Sequence, residues 1–209
     1  MAENYQLMLD KELAHIKQLQ RVPTLLLHSC CAPCSSYVLE YLSRYFAITV
    51  LYYNPNISPA TEFSRRAEEQ QRLINEMPHH HPVSLLVGNY TPERFTELAK
   101  GHEDDAEGGE RCFACYRMRL EEAAKTAKDG GFDYFTTTLS ISPLKNAAKL
   151  NEIGNELADE YGIPYLFSDF KKREGYKRSC QLSADYGLYR QDYCGCIYSK
   201  RDAEKRKIQ

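Results

Sequence analysis

The chain has 209 residues, 43% of them hydrophobic and 27% charged, with a formal net charge of −2. This is ordinary globular usage, enough to bury a core in one domain or one domain plus an appendage. No apolar run reaches the roughly 20 residues of a membrane span, which excludes a transmembrane helix. The polar opening MAENYQLMLDKELAHIK also lacks the basic and apolar regions of a signal peptide, so a cytoplasmic protein with no membrane partner is expected.

The opening stretch, residues 1–21, reads as an amphipathic helix. VPTLLLH follows as a buried strand, then the cysteine-rich turn SCCAPC, then a helix over SSYVLEYLSRYF with Ser35 or Ser36 as its N-cap. AITVLYYNPNI is a second strand closed by an Asn-Pro turn, where Asn54 and Asn56 suit the backbone. PATEFSRRAEEQQRLINEM is a helix on which Arg65 and Arg66 read as surface partners of Glu68 and Glu69. PVSLLVGNY is a strand, and the PHHHP run before it reads as an exposed loop. TPERFTELAKG is a helix, HEDDAEGGER a polar and flexible acidic loop, and CFACYRMRLEEAAKTAKDGG a strong helix. FDYFTTTLS, a helix from PLKNAAKLNEIGNELADEYG, and the strand IPYLFSDF close the pattern.

Strands alternating with helices predict an α/β fold: a parallel sheet of about five strands with helices on both faces. The expected organisation is a single domain: the N-terminal helix to residue 21, an α/β core over 22–170, and an irregular basic appendage over 171–209 with no clear strand. That appendage holds 11 Lys or Arg against 5 Asp or Glu, or +6, leaving −8 on the remainder. Ligands of such sheets bind beyond the carboxyl ends of the strands, which is where the SCCAPC, YNPNISP and LSISP turns fall.

Eight cysteines in a cytoplasmic chain point to metal or redox chemistry rather than structural disulfides. Cys30, Cys31 and Cys34 occupy the first turn. Cys112 and Cys115 form a Cys-x-x-Cys pair at a helix start, where the positive end of the macrodipole favours thiolate. Cys194 and Cys196 flank one glycine, a spacing that suits a strained and easily reduced disulfide. Cys180 stands alone and reads as a packed thiol. Cys30, Cys31, Cys112 and Cys115 together offer four soft ligands, suited to a structural zinc or an iron–sulfur cluster; the domain's size and the adjacent Cys30-Cys31 spacing weigh against zinc.

HSCCAPCSS, YYNPNISPATEFSRR, GGERCFACYRMRLEEAA, TTTLSISPLKN and KKREGYKRSCQLSADYGLYRQDYCGC, in that order, resemble the QueH family of epoxyqueuosine reductases. The resemblance runs from about Thr24 to Ser199. It implies a fold similar to the adenine-nucleotide-hydrolase-like folds. The implied activity is the two-electron reductive deoxygenation of the epoxide of epoxyqueuosine in tRNA to give queuosine. It further implies a [4Fe-4S] cluster on Cys30, Cys31, Cys112 and Cys115, a redox-active pair in Cys194 and Cys196, and a second, mononuclear iron with Cys34 the nearest ligand in sequence. The partners are then tRNA carrying epoxyqueuosine at the wobble position and an electron donor that the sequence does not identify.

Lys171, Lys172, Arg173, Tyr176, Lys177 and Arg178 are the candidate RNA contacts, cations for phosphates with Tyr176, Tyr186 and Tyr189 for stacking. Asp169 at the last strand's end is a candidate acid or metal ligand. Two other classes stand beside the reductase. A tRNA thiolation enzyme needs a Gly-rich phosphate cradle where this chain carries Ser-Cys-Cys-Ala-Pro-Cys; a zinc-stabilised RNA-binding module leaves CGC without a role.

Overall fold

The structure, a computed structural model, describes residues 3–208. Four strands form a wholly parallel sheet: β1 (Thr24–His28), β2 (Ala47–Tyr52), β3 (Val83–Val87) and β4 (Tyr134–Thr137), in the order β3-β2-β1-β4. The helices are α1 (Tyr5–Ile16), α2 (Ala32–Leu42), α3 (Ala60–Glu76), α4 (Pro92–Ala99), α5 (Glu110–Asp129), α6 (Ala147–Tyr161), α7 (Gly175–Asp185) and α8 (Ile197–Ile208). No described helix is long and apolar enough to cross a membrane.

Three consecutive leucines explain how the sheet is covered on both faces. Side chains alternate along a strand, so Leu25 and Leu27 join Leu9 and Leu13 of α1 and Val38 and Leu39 of α2 on one face. Leu26 points the other way, into Leu120 and Ala123 of α5 and Leu150 and Ile153 of α6. All three leucines are fully buried, each adding about 1.5–3 kcal/mol relative to exposure.

The α/β class with a parallel core is as the alternation predicts, with two refinements. The stretch read as a fifth strand, 163–170, pairs with the sheet through one bridge, Phe135 to Tyr165. β4 ends at Thr137, where the chain tightens into a 3-10 turn (Thr138–Ile141), so little ladder remains beyond Leu166. The segment after Phe170 is not irregular: it carries α7 and α8. The inward face of α7 is Gly175, Ser179, Leu182 and Ser183, at helical spacing but with one large apolar residue. Its periodicity is therefore faint in sequence. That face packs on α2, where a Cβ at Gly175 would stand 2.5 Å from the Tyr37 ring.

The first helix of the core also starts earlier than expected. Cys31, in extended conformation, is the N-cap of α2, and Pro33 occupies the first turn, which its fixed φ favours. Ser35 and Ser36 thus lie inside the helix, bonded back to the Cys31 and Pro33 carbonyls. The shift places Cys34 in the first turn of α2 beside Cys30 and Cys31.

Candidate metal and redox site

The sheet order reverses between β1 and β4, since β2 and β3 lie to one side of β1 and β4 to the other. Ligand crevices form at such points, outside the carboxyl ends of the strands. The turn after β1 and the 3-10 turn after β4 border that crevice. They line a cavity of about 420 Å³ together with Cys30, Cys31, Cys34, Lys145 and Cys194.

The sulfurs of Cys30, Cys31 and Cys34 all lie within 4.8 Å of one another. The Cys30 thiol donates to the Cys31 sulfur across 3.8 Å. Metal–sulfur bonds of about 2.3 Å in a tetrahedral site set sulfurs about 3.8 Å apart. The triad is therefore grouped closely enough to hold a metal ion. Hydrogen bonding from Cys30 and Cys34 holds Cys31 well below the usual thiol range, and the same contact pushes Cys30 up to about 11. Cys34 is pushed up as well, by its contacts to Cys30 and Cys31. Cys31 is the first of the three to become thiolate, at the positive end of α2.

His28, at the end of β1, is sealed between the Thr137 hydroxyl and the Tyr53 carbonyl. Burial lowers its pKa to about 4, so it stays neutral and fixes the strand end rather than carrying charge.

A second, narrower cavity adjoins the first and shares Glu107, Lys145 and Cys194 with it. Cys112, Cys115 and Cys196 line it with Cys194. α5 delivers the first two. The Asp105 carboxylate accepts from the Arg111 amide at 3.0 Å, capping the helix from the preceding loop. Arg111, 1% exposed, donates to the His102 and Glu103 carbonyls, so the acidic loop expected to be flexible is tied to the helix it precedes. The Gly108 amide donates to the Cys112 sulfur at 3.3 Å, tying the glycine turn to the helix start. Burial pushes Cys115 up to about 12 and Cys196 up to about 11.

The Cys-Gly-Cys loop is held from beneath by α3. Arg66 is 1% exposed, pairs with Glu62 at 2.7 Å and donates to the Cys194 carbonyl at 3.1 Å. Its reading as a surface partner of Glu69 is thereby corrected; Glu69 pairs with Arg72, and Arg65 stacks on Tyr189. Gly195 has φ of +117° and faces Arg66 and Ile57 so closely that a Cβ would stand 3.0 Å from each. Both demands leave glycine as the residue that fits. The Ser199 hydroxyl accepts from the Cys194 amide, and the Cys196 sulfur accepts from the Ser199 amide.

Seven of the eight cysteines thus line one pair of cavities, while Cys180 on α7 lines neither. Asp169 pairs with Lys171 at 2.8 Å and also lies outside both. Of the six candidate RNA contacts, Tyr176 reaches the larger cavity, with the Arg190 guanidinium 5.4 Å from its ring centroid. Lys171, Arg173, Lys177 and Arg178 pair with Asp169, Asp10, Glu174 and Glu40, and Lys172 is exposed. His79, half-buried, bonds the Ile74 carbonyl and joins no metal-binding group among the described residues. Sequence reasoning missed Lys145, Glu107 and Arg190, single charges in loops, and Arg119, one charge among several on α5.

The family model described as "Epoxyqueuosine reductase QueH" matches residues 25–202. The chain belongs to the QueH family. A relative named epoxyqueuosine reductase QueH from Staphylococcus epidermidis is 42% identical over 94% of this chain and 84% of its own length. The QueH protein of Streptococcus pyogenes is 42% identical over 86% of this chain and 71% of its own. That of Thermotoga maritima is 34% identical over 89% and 95%. The residues that match the family model span both thiol groups and so include all seven cysteines of the crevice.

Proposed function

We propose that this chain is an epoxyqueuosine reductase, an oxidoreductase that reduces the epoxide of epoxyqueuosine in tRNA to the alkene of queuosine. The observation that carries the reading is the convergence of seven cysteines on a crevice beside a cavity of about 420 Å³, a size suited to a modified nucleoside. A zinc module would explain four thiols but not the open cavity beside them, and the cysteine turn offers no Gly-rich cradle for ATP.

The donor set fits an iron–sulfur group. Thiolates are its ligands, and the narrow cavity presents buried polar atoms without partners, the Arg119 Nη1 and Nη2 among them. Cys30, Cys31, Cys112 and Cys115 would hold a [4Fe-4S] cluster, and Cys34 with Cys30 and Cys31 a second iron. Bound there, the metal group would supply Lewis acidity toward the epoxide oxygen and a one-electron relay.

The overall reaction takes two electrons and two protons and releases water. A Cys194–Cys196 dithiol supplies both pairs: two S–H bonds break, one S–S bond forms, and the epoxide oxygen leaves as water. An external electron donor must then reduce the disulfide. Cys194 lines both cavities, so its sulfur connects the substrate side with the buried thiols. Lys145, 8% exposed, loses stability of its charge through burial, but the facing Cys194 holds it protonated. Its ammonium, 3.4 Å from Glu107, is placed to stabilise charge developing on the departing oxygen.

The RNA would approach over Tyr176, whose ring offers a stacking face at the cavity rim, with Lys171, Lys172, Arg173, Lys177 and Arg178 flanking it. Surface ion pairs contribute only about 0–1 kcal/mol, so these cations can exchange carboxylates for phosphates. We place the reaction in the cytoplasm, where the thiols remain reduced. The test is anaerobic incubation of the protein with tRNA containing epoxyqueuosine and a reductant, followed by nucleoside analysis. Queuosine is the expected product; unchanged epoxyqueuosine from protein containing iron and sulfide would refute the assignment.

A further inference from the structure

Arg119 is the most unusual side chain in the core. It is 0% exposed, and no carboxylate pairs with it among the described residues. Its Nε donates to the Cys115 carbonyl at 3.3 Å, whereas Nη1 and Nη2 have no partner. An unpaired buried guanidinium costs several kcal/mol, so such a group persists where an anion meets it. Glu107 lines the same cavity but is engaged by Lys145.

Two neighbours repeat the pattern. Tyr116, 1% exposed, leaves its hydroxyl without a partner, and Asn56, 2% exposed, leaves both its amide nitrogen and its amide oxygen without one. All three residues line the cavity of Cys112, Cys115, Cys194 and Cys196. The tyrosine ring packs beneath the guanidinium, with its centroid 5.9 Å away. Nη1, Nη2, the Tyr116 hydroxyl and the Asn56 amide nitrogen are all donors. Unpartnered donors that line one cavity with four cysteines are complementary to sulfur that carries negative charge.

We propose that Arg119, with Tyr116 and Asn56, forms a donor wall that hydrogen-bonds the anionic sulfur group held in the inner cavity and raises its reduction potential. This rests on the iron–sulfur reading above. Arg119 is a positioning residue here: it acts on the sulfur group and not on the nucleoside. A fixed positive charge and N–H donors stabilise the reduced, more negative form more than the oxidised one, so their removal shifts the potential downward.

The test is a spectroscopic redox titration of holoprotein carrying Arg119→Gln, Arg119→Lys or Tyr116→Phe, with iron and sulfide counted in each. Arg119→Gln is expected to shift the midpoint potential to a clearly lower value. Arg119→Lys keeps the charge and should recover most of that shift. Tyr116→Phe removes one donor with little change in packing and should give a smaller downward shift. A wild-type potential in folded, cluster-bearing Arg119→Gln would reduce Arg119 to a structural role and overturn the proposal. Should Arg119→Gln fail to fold or to hold its cluster, Tyr116→Phe decides the matter, and a wild-type potential there overturns the donor wall. A wild-type protein with no iron–sulfur chromophore would instead sink the functional reading itself.

Discussion

The two thiol groups of the crevice are built in opposite ways. Cys30, Cys31 and Cys34 come from one short stretch, and local chemistry sets them: a strand end, an extended N-cap and a proline in the first helical turn. Their sulfurs already stand at metal-binding separation. Cys112, Cys115, Cys194 and Cys196 come from the start of α5 and a distant loop, and they meet because Arg66, Ser199 and the conformation of Gly195 hold that loop in place. A local site tolerates changes elsewhere in the fold, whereas an assembled one depends on buried partners outside the motif.

The sharpest break of this contrast is the loss of a triad sulfur. Cys31→Ser is expected to reduce bound iron and to bring turnover to background, while thermal melting of the metal-free protein stays close to wild type. A large fall in melting temperature would mean that the turn is structural.

Next in size is the support of the assembled group. Glu62→Ala strands the buried Arg66, and loss of one partner of a buried pair costs about 3–5 kcal/mol. Chemical denaturation should register that loss, and the reactivity of Cys194 toward alkylating reagents should rise as its loop is released. Cys34 reactivity should stay unchanged if the two groups are independent.

The stretch proposed to contact RNA gives a smaller effect. Tyr176→Ala is expected to weaken binding of the anticodon stem-loop by about 1–3 kcal/mol, the range for one stacked base. Joint replacement of Lys171, Lys172 and Arg173 should weaken binding and flatten its salt dependence, with Lys172→Ala alone lowering the slope by about one. Filter binding across a salt series reads both.

The smallest difference lies within the triad and is read by pH. Cys31 is held well below the usual thiol range by its contacts to Cys30 and Cys34, whereas Cys30 ionises only as pH rises toward about 11. In metal-free protein, mass-mapped alkylation should label Cys31 ahead of Cys30 at pH 7, and the two rates should converge as the pH is raised. Equal rates at pH 7 would remove the distinction.

How much of this was legible in the residues follows from range. Strands with three adjacent leucines, helices with wide apolar faces and the cysteine motifs could be read directly, because each is a local pattern. α7 was not, since it packs through glycine and serine and offers little periodic contrast. Arg66 and Arg119 read as ordinary helix charges, because nothing in an isolated helix distinguishes a buried arginine from a solvated one.

By itself, then, the sequence determined a parallel α/β core, a cysteine turn at a strand end and the family to which the chain belongs. The tertiary structure alone decided which sulfurs stand together, which cations lie beneath them, and that Cys194 opens onto both cavities. The physical reason is that hydrogen bonds and hydrophobic periodicity act over a few residues, while burial and charge compensation depend on every element that closes over the site.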